Sequence, residues 1–282
     1  MDLPAPLSRT ASERDALARQ FAALAVRAGA VIMDIYASGC DVRVKGDGSP
    51  VSVADEQAEA LILAGLGALM PGMPVLAEEA AARGEVPRLG DTFILVDPLD
   101  GTREFISRNG EFTVNIALVS AGVPVAGAVY APVLETLWYG GASAMAAQIA
   151  PGQDLQQAKE WRALKVRQPP AAGLTALASR SHGDAATEQF LARLPIAERI
   201  AAGSSLKFCR VAEGKADVYP RFGPTMEWDT AAGDAVLRAA GGMTLDENGR
   251  PFAYGKADQH YRNGAFAAWG DARDAIGRAM IR

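Results

Sequence analysis

The sequence predicts an α/β fold with mixed or antiparallel sheets, and three patterns lead to this fold class. Residues 12–38 place apolar side chains at helical spacing, which predicts a long amphipathic helix. Short apolar runs separated by tight turns predict an antiparallel meander of three strands over residues 112–119, 124–130 and 135–139. After residue 170 short apolar runs alternate with helical patterns, which is typical of α/β proteins.

Composition and charge narrow the class of protein. The chain has 282 residues, of which 49% are apolar and 22% charged, as in ordinary globular proteins. Its net charge of -5 argues against a nucleic-acid partner, so an anionic substrate would need a local positive group such as a metal ion. The first residues lack a signal-peptide layout, and no uninterrupted apolar run reaches the roughly 18 residues that predict a transmembrane segment. Two cysteines, Cys40 and Cys209, indicate neither a disulfide framework nor a zinc cluster and favour reduced thiols in the cytoplasm.

The first 90 residues predict two helices and two short strands. Ser12 and Asp15 offer a capping box for the helix at 12–38, and Gly39 offers its end. A strand at 41–45 and a loop at 46–50 precede a second helix over residues 51–70, near whose start lies Asp55. By itself Asp55 is most simply a helix-capping acid. The strand at 74–77 delivers Glu78 and Glu79 before a small, polar segment at 80–90 that we expect to be mobile.

The stretch from Phe93 to Thr102 carries the clearest chemical signal. A short buried strand at 93–96 runs into Asp97-Pro98-Leu99-Asp100-Gly101-Thr102, and Pro98 is expected to end the strand because it has no N–H to donate. Two carboxylates at the end of a strand can converge on one cation, and Mg²⁺ selects carboxylate oxygens. This pattern alone leaves a plain surface turn open. An aspartyl-phosphate phosphatase is disfavoured because its nucleophile and acid lie two residues apart, whereas these acids are three apart.

The remaining segments complete the predicted organisation. Residues 103–110 predict a turn or short helix, and 144–166 could hold two more strands around a polar stretch. The composition changes near Gln168-Pro169-Pro170, which divides the chain into halves at 1–168 and 169–282. The second half predicts helices at 185–194, from 206 to about 213, at 228–240 and from 271 onward, and strands at 174–178, 196–200, 216–221, 243–245 and 265–268.

Three features of the second half are candidates for an anion site. Gly203-Ser204-Ser205 precedes a helix, so its amides and hydroxyls could hold a phosphate, and Lys207 adds a positive charge. Each feature also has a structural interpretation, since Ser204 and Asp229 could simply be N-caps. A lone His182 is more often structural than a ligand.

Taken in order, these motifs resemble those of the inositol monophosphatase superfamily of Mg²⁺-dependent, lithium-sensitive phosphatases. The superfamily motifs are Lys45-x-x-x-Ser49-Pro50-Val51-x-x-Ala54-Asp55, Glu78-Glu79, Asp97-Pro98-Leu99-Asp100-Gly101-Thr102 and Trp228-Asp229-x-Ala231-Ala232-Gly233. Longer stretches are similar to the branch of bacterial 3′(2′),5′-bisphosphate nucleotidases. These are Arg103-Glu104-Phe105-Ile106-x-Arg108-Asn109-Gly110 continuing to Leu118, Ser179-Arg180-Ser181-His182, Gly203-Ser204-Ser205-Leu206-Lys207-Phe208-Cys209, and Tyr219-Pro220-Arg221-Phe222-Gly223-Pro224-Thr225.

The resemblance implies a layered α-β-α-β-α sandwich and a complete site. Two or three Mg²⁺ ions would be held by Glu78, Asp97, the carbonyl of Leu99, Asp100 and Asp229. The nucleophilic water would be held by Thr102 paired with Asp55, with Glu78 assisting, and the amides of Gly101 and Thr102 would bind the scissile phosphate. The same resemblance assigns Ser204, Lys207 and Arg221 to the second phosphate and His182 to the nucleoside. Most metal ligands would then lie in the first half, and the last one, Asp229, in the second.

The function expected from the resemblance is hydrolysis of the 3′-phosphate of adenosine 3′,5′-bisphosphate to AMP and phosphate by metal-activated water, as part of sulfate assimilation. We expect a cytoplasmic enzyme and leave peripheral association with the inner membrane, and the oligomeric state, open. One alternative is an inositol or sugar monophosphatase on the same scaffold, which would share every metal ligand. Another is a non-catalytic sensor of nucleotide or metal, which would not need the Thr102–Asp55 pair.

Overall fold

Helices cover and separate two β-sheets in this protein. The computed structural model describes residues 9–38, 42–44, 50–179 and 184–271. In chain order its α-helices are α1 (Ala11–Ser38), α2 (Val53–Leu69), α3 (Glu78–Ala82), α4 (Thr102–Ile106), α5 (Ala185–Leu191), α6 (Leu206–Ala212) and α7 (Glu227–Ala239).

The first half of the chain builds a seven-stranded sheet. A short antiparallel ribbon of β1 (Val42–Val44) and β2 (Pro50–Ser52) precedes it. The strands of the seven-stranded sheet lie side by side in chain order, and only the first pair is parallel. They are β3 (Val75–Ala77), β4 (Thr92–Asp100), β5 (Thr113–Ser120), β6 (Val123–Ala131), β7 (Thr136–Gly140), β8 (Ala144–Gln148) and β9 (Lys159–Ala163).

The second half builds a five-stranded mixed sheet. Its strands are β10 (Leu174–Ser179), β11 (Ile196–Ala202), β12 (Val218–Arg221), β14 (Met243–Asp246) and β16 (Phe266–Trp269), and a separate ribbon joins β13 (Thr225–Met226) to β15 (Arg262–Asn263). The spatial order is β11-β10-β12-β16-β14. β10 is parallel to both of its neighbours, whereas β16 is antiparallel to β12 and β14.

These elements form five layers. α1 and α2 cover one face of the seven-stranded sheet, and α7 lies on its other face against β4, β5, β6 and β7. α6 packs beside α7 and contacts the second sheet through β12 and β16, while α5 contacts β12. Phe190 and Leu191 of α5 share a buried cluster with Leu174, Val218 and Trp269 of that sheet. The predicted α-β-α-β-α sandwich with mixed sheets is therefore confirmed.

Several predicted elements are confirmed with small shifts of their bounds. The long first helix, the three-stranded meander and the two strands at 144–166 are all present, the last as β8 and β9. The chain changes sheets between β9 and β10, around the predicted boundary at 168–170, but the division into two domains stays a prediction. The predicted end of the first helix at Gly39, the loop residues 46–49, Cys40, His182 and the helix from 271 onward lie outside the described residues.

Four local predictions were wrong. α1 is capped by Thr10 and Glu13, whose side chain and backbone exchange hydrogen bonds of 2.6 and 3.2 Å, because Asp15 accepts the N–H groups of Ala142 and Ser143 instead. Residues 50–52 form β2 instead of opening α2, and α3 occupies the start of the segment predicted to be mobile. The strand at 93–96 does not end at Pro98 but continues to Asp100. Sequence patterns also gave no indication of β13 and β15, which are only two residues long.

α1 is the one helix among the described residues that is long and apolar enough to cross a membrane, judged by length and composition alone. Core helices of globular proteins pass the same test. In this fold α1 packs against α2, β5, β6 and β7, and Phe21, Ala25 and Ile32 are completely buried there. This packing explains the apolar residues of α1 as part of the hydrophobic core.

Candidate active site

One cavity of about 280 Å³ brings most of the predicted residues together. It lies where the carboxyl end of β4 meets the first turns of α3, α4, α6 and α7. Eight of the predicted site residues line it: Glu78, Asp100, Gly101, Thr102, Ser204, Lys207, Arg221 and Asp229. Carboxylates and cationic side chains thus share the walls of a single cavity.

Parallel pairing of β3 and β4 brings two of the acids to one level. The register pairs Ala77 with Val96, so the next residues, Glu78 at the start of α3 and Asp97 within β4, lie at the same level. Asp97 is 1% exposed, and its carboxylate accepts the N–H of Leu99 over 3.0 Å. Burial and the nearby carboxylates of Glu78 and Asp100 raise the pKa of Asp97 well above its ordinary value.

A β-bulge in β4 turns Asp97 and Asp100 toward the same side. Residues three apart on a regular strand point to opposite faces. Here Asp97 pairs with Asn115 and Asp100 with Thr113, which are only two residues apart on β5. The extra residue of the bulge, in the Pro98-Leu99 segment, restores the alignment of the two acids and also lets the strand tolerate proline.

Asp100 is held by donors from two neighbouring elements. Its Oδ2 accepts the backbone N–H of Ser205 over 2.6 Å, and Thr113 Oγ1 and Asn115 Nδ2 lie 3.5 Å from the same oxygen. Burial raises the pKa of Asp100 to about 6, although Lys207 and the Ser205 N–H act in the opposite direction. The carboxylate is therefore oriented, but its negative charge is only partly compensated by the protein.

Asp229 is the third residue of α7 and was first interpreted as an N-cap. Its Oδ2 instead accepts the N–H of Met226, which precedes the helix, over 2.8 Å. Burial and the carboxylates of Asp100 and Glu78 raise its pKa well above the ordinary value. The backbone carbonyl of Asp229 accepts the hydroxyl of Ser205 over 2.7 Å, so Ser205 connects Asp229 to Asp100.

Thr102 begins α4 and faces a buried acid on α2. Its Oγ1 donates to Oδ1 of Asp55 over 3.3 Å, and Asp55 is 1% exposed. Gly101, the preceding residue, has a φ of 96°, a left-handed conformation that favours glycine. A Cβ at Gly101 would lie 2.3 Å from Ser204 Oγ, so the turn has no room for a side chain.

The proposed anion cradle at residues 203–205 is already used by the protein's own carboxylates. The N–H of Gly203 donates to Glu111 Oε2 over 2.8 Å, and the N–H of Ser205 donates to Asp100. Ser204 Oγ lies 2.8 Å from the carbonyl oxygen of Asp100 and 2.7 Å from that of Glu111. The expectation that the Gly203 and Ser205 amides hold a phosphate was wrong, because these donors fix the wall of the cavity.

Lys207 and Arg221, together with Arg103, are the cationic side chains that line the cavity. Lys207 is 3% exposed, and its Nζ donates to the carbonyl oxygens of Ser204 over 2.8 Å and Ala202 over 3.2 Å. Burial lowers the pKa of Lys207 to about 8, with nearby Arg221 adding to the effect and Asp100 opposing it. Arg221 is oriented by the carbonyl oxygens of Gly223 and Pro224, at 3.4 and 3.2 Å.

Three predicted residues do not line the cavity. Asp55 and Asp97 lie behind the wall of the cavity. Asp55 contacts Thr102, and Asp97 is close enough to Asp100 and Asp229 for their charges to raise the pKa of Asp97. Leu99 is 1% exposed, with its side chain in the apolar core. His182 lies outside the described residues.

Sequence reasoning did not predict the structural roles of three residues that shape the cavity. Ser205 links Asp100 to Asp229, Asn115 donates to Ser205 Oγ over 3.1 Å, and Glu111 holds Gly203. The adjacent serines at 204 and 205 were one available signal, and a buried asparagine in an otherwise apolar strand was another. Glu111 gave none, because its partner lies 92 residues away in the chain.

The chemistry of the acids fits a hard divalent cation. All candidate ligand side chains are carboxylates, which Mg²⁺ prefers. Buried carboxylates that raise one another's pKa form a site whose charge a cation would compensate. Within the described part of the chain, no three acidic, histidine or cysteine side chains already surround one metal-sized position.

A layered α-β-α-β-α fold whose cavity combines carboxylates at a bulged strand with cationic side chains defines a phosphatase of the metal-dependent class. The model of the inositol monophosphatase family matches residues 13–276. The chain belongs to the inositol monophosphatase family, for which the use of magnesium and sensitivity to lithium are typical.

Similar proteins of known name support the same assignment. The chain is 47% identical over 238 residues to the 3′(2′),5′-bisphosphate nucleotidase CysQ of Escherichia coli K12. The matched region covers 83% of this chain and 92% of the relative. It is 34% identical over 240 residues to the protein of that name from Aggregatibacter actinomycetemcomitans, with coverages of 83% and 86%. The crystal structure of CysQ from Bacteroides thetaiotaomicron matches with a TM-score of 0.72 and 39% identity, covering 90% of this chain and 97% of that one.

Proposed function

We propose that this protein is a Mg²⁺-dependent 3′(2′),5′-bisphosphate nucleotidase that hydrolyses the 3′-phosphate of adenosine 3′,5′-bisphosphate, giving AMP and phosphate, in sulfate assimilation. The observation that carries the proposal is the composition of one cavity, whose lining combines carboxylates with Lys207 and Arg221. A substrate with two phosphates matches both sets of groups, since one phosphate can meet metal ions held by the carboxylates and the other can meet the cationic side chains. The nucleotidases at 47% identity support the same substrate class.

The metal ligands in this proposal are Glu78, Asp97, the Leu99 carbonyl, Asp100 and Asp229. Two or three Mg²⁺ ions held there would neutralise the phosphate charge and lower the pKa of water. The protein orients two of these ligands through Ser205, which donates its N–H to the Asp100 carboxylate and its hydroxyl to the Asp229 carbonyl. These two hydrogen bonds orient the Asp100 carboxylate and the backbone of Asp229 before substrate binds.

Thr102 and Asp55 form the proton-accepting pair, with Glu78 assisting. Thr102 Oγ1 donates its only hydrogen to Asp55, so its lone pairs remain available to accept a hydrogen bond from the attacking water. As the water oxygen attacks phosphorus, its proton passes to Thr102 Oγ1 while the threonine proton passes to Asp55. The amides of Gly101 and Thr102 hold the scissile phosphate, whose bond to the 3′-oxygen breaks. The 3′-oxygen takes a proton from solvent water to become the hydroxyl of AMP, and Asp55 afterwards releases its proton to solvent.

The second phosphate would lie against Lys207 and Arg221. Arg221 is held in place by two carbonyl oxygens and is only 9% exposed, so it can bind an anion without first being ordered. Ser204 would act by placing this wall, since its hydroxyl contacts the carbonyls of Asp100 and Glu111. His182 keeps its proposed place near the nucleoside. Binding of this remote phosphate would position the 3′-phosphate for attack.

The cellular site in this proposal is the cytoplasm, where adenosine 3′,5′-bisphosphate would arise as a by-product of sulfate assimilation. The apolar helix α1 is assigned to the core on the basis of its packing.

The test is phosphate release from adenosine 3′,5′-bisphosphate and from inositol 1-phosphate, measured side by side in Mg²⁺ with and without lithium. We expect a strong preference for the nucleotide and loss of activity with lithium. A preference for inositol 1-phosphate would keep the metal site and overturn the substrate. Tight nucleotide binding by calorimetry without phosphate release from either substrate would instead indicate a non-catalytic sensor.

A further inference from the structure

α2 carries two buried carboxylates on one side of the helix. Asp55 and Glu59 are four residues apart, one helical turn, and are 1% and 2% exposed. Asp55 contacts Thr102, the first residue of α4. Glu59 contacts α3, whose first residue is Glu78. The two acids therefore support the starts of the two short helices that present site residues to the cavity.

Glu59 contacts α3 at both of its ends. Its Oε2 accepts the backbone N–H of Glu79 over 2.7 Å, and the N–H of Ala80 also bonds to this carboxylate. Its Oε1 lies 3.3 Å from Nη2 of Arg83, the C-cap residue that follows α3. Arg83 is 49% exposed, so the exposed ion pair contributes less than the buried hydrogen bond to the amide.

α3 depends on an acceptor from elsewhere in the chain. The first N–H groups of any helix have no partner inside it. In α3 the N-cap is Ala77, which has no polar side chain to accept them. A helix of five residues is also too short to be stable without tertiary contacts. The carboxylate of Glu59 supplies the missing acceptor.

We propose that Glu59 is a positioning residue for the metal site: by accepting the N–H of Glu79, it fixes the backbone that places the Glu78 carboxylate in the cavity. The inference rests on the proposed role of Glu78 as a metal ligand. Glu59 itself lies outside the cavity, so it acts through α3. Loss of such supporting contacts typically weakens metal binding about 10- to 100-fold.

The test measures Mg²⁺ binding directly, by calorimetry without substrate, and thermal stability without Mg²⁺. Glu59→Ala removes the acceptor, and Glu59→Asp keeps the charge but shortens its reach by one methylene. Glu59→Gln keeps an acceptor of the same length. Arg83→Ala removes the ion pairs that this exposed arginine makes with Glu59 and Glu85 and leaves the Glu59 carboxylate in place. Leu66→Ala, at a residue of α2 that is 1% exposed, serves as a control of lowered stability away from the site.

We expect Glu59→Ala and Glu59→Asp to bind Mg²⁺ about tenfold or more weakly, with Glu59→Gln and Arg83→Ala within about threefold of wild type. Leu66→Ala should lower the melting temperature without changing Mg²⁺ affinity. If Glu59→Ala does not fold, Glu59→Asp decides the question. Wild-type Mg²⁺ affinity in the folded Glu59 variants, or equal losses in Leu66→Ala, would overturn the inference alone. Failure of the wild-type protein to bind Mg²⁺ would overturn the metal role of Glu78 as well.

Discussion

The hydroxyl of Thr102 donates to Oδ1 of Asp55 over 3.3 Å and so joins the first turn of α4 to the first turn of α2. The two residues are 47 positions apart in the chain. Asp55 is buried, so its carboxylate is held in place as the acceptor of the threonine proton. The contact gives the proposed proton transfer a defined direction, from the cavity toward α2.

Thr102→Val is expected to lower kcat by about 100- to 10,000-fold, because valine keeps the shape but has no proton to pass on. Mg²⁺ binding, measured by calorimetry, should change little, since Thr102 is not among the proposed metal ligands. Thr102→Ser keeps the hydroxyl and serves as the matched control, with activity near wild type. Activity of Thr102→Val close to that of the serine variant would rule out the relay.

Alanine at Asp97 or Asp100 is expected to lower phosphate release by about 100- to 1,000-fold or more, because each variant removes a charge that the metal site requires. The fold should remain, as checked by circular dichroism, since removing one of several crowded carboxylates relieves repulsion. Turnover retained in either folded variant would contradict the ligand assignment.

Arg221→Ala is expected to raise KM for adenosine 3′,5′-bisphosphate by roughly 10- to 100-fold, as for loss of a hydrogen bond to a charged group. A 3′-monophosphate substrate should be almost unaffected, because it has no second phosphate for Arg221 to bind. Steady-state kinetics on both substrates checks this difference. Arg250→Ala, which removes an exposed arginine paired with Asp246, is the control. Equal changes of KM on both substrates would remove the proposed role of Arg221.

Binding of the bisphosphate should weaken above about pH 8. The buried ammonium of Lys207 has its pKa lowered to about 8, so it loses its proton, and its attraction for phosphate, as pH rises through that value. KM measured from pH 7 to 9.5 should therefore rise in the wild-type protein. In Lys207→Met, KM should be high throughout and nearly independent of pH. A wild-type KM that stays constant up to pH 9.5 would show that the charge of Lys207 does not contribute.

The metal-free protein should become less stable as pH rises from 5 to 7.5. Asp100 has a folded-state pKa raised to about 6, so the folded protein binds more protons than the unfolded chain between the two pKa values. Its contribution to stability is present at low pH and is lost as pH rises through about 6. Melting temperatures of the wild-type protein and Asp100→Asn, measured without Mg²⁺, check this. The asparagine variant should show the smaller decrease, and identical slopes would contradict the prediction.

Much of the fold could be predicted from local patterns. Helical periodicity identified α1 and α7, and the closely spaced apolar runs identified β5, β6 and β7, because hydrophobic period reports directly on which face is buried. The acids after β3 and β4 were recognised as site residues because both follow apolar strands. Parallel pairing of these strands then brings them together.

The remaining features depend on partners distant in sequence. Asp15 was assigned to a helix cap, but its carboxylate bonds to amides 127 and 128 residues away. Residues 203–205 were assigned to an anion site, whereas their amides meet carboxylates that β4 and its following loop supply. No sequence pattern singled out Glu59, which bonds to the amide of Glu79 twenty residues away. Only tertiary structure shows which donor each of these acids meets.

The bulge in β4 makes the site depend on the irregular backbone of that strand as well as on the identity of its residues. If every residue from Asp97 to Asp100 paired with β5 in a regular ladder, all the acids would still be present in the sequence. The regular ladder would nevertheless send Asp97 and Asp100 to opposite sides of the sheet, because side chains three residues apart on a regular strand point to opposite faces. A substitution that straightens this segment would therefore be as damaging to the proposed chemistry as the loss of an acid.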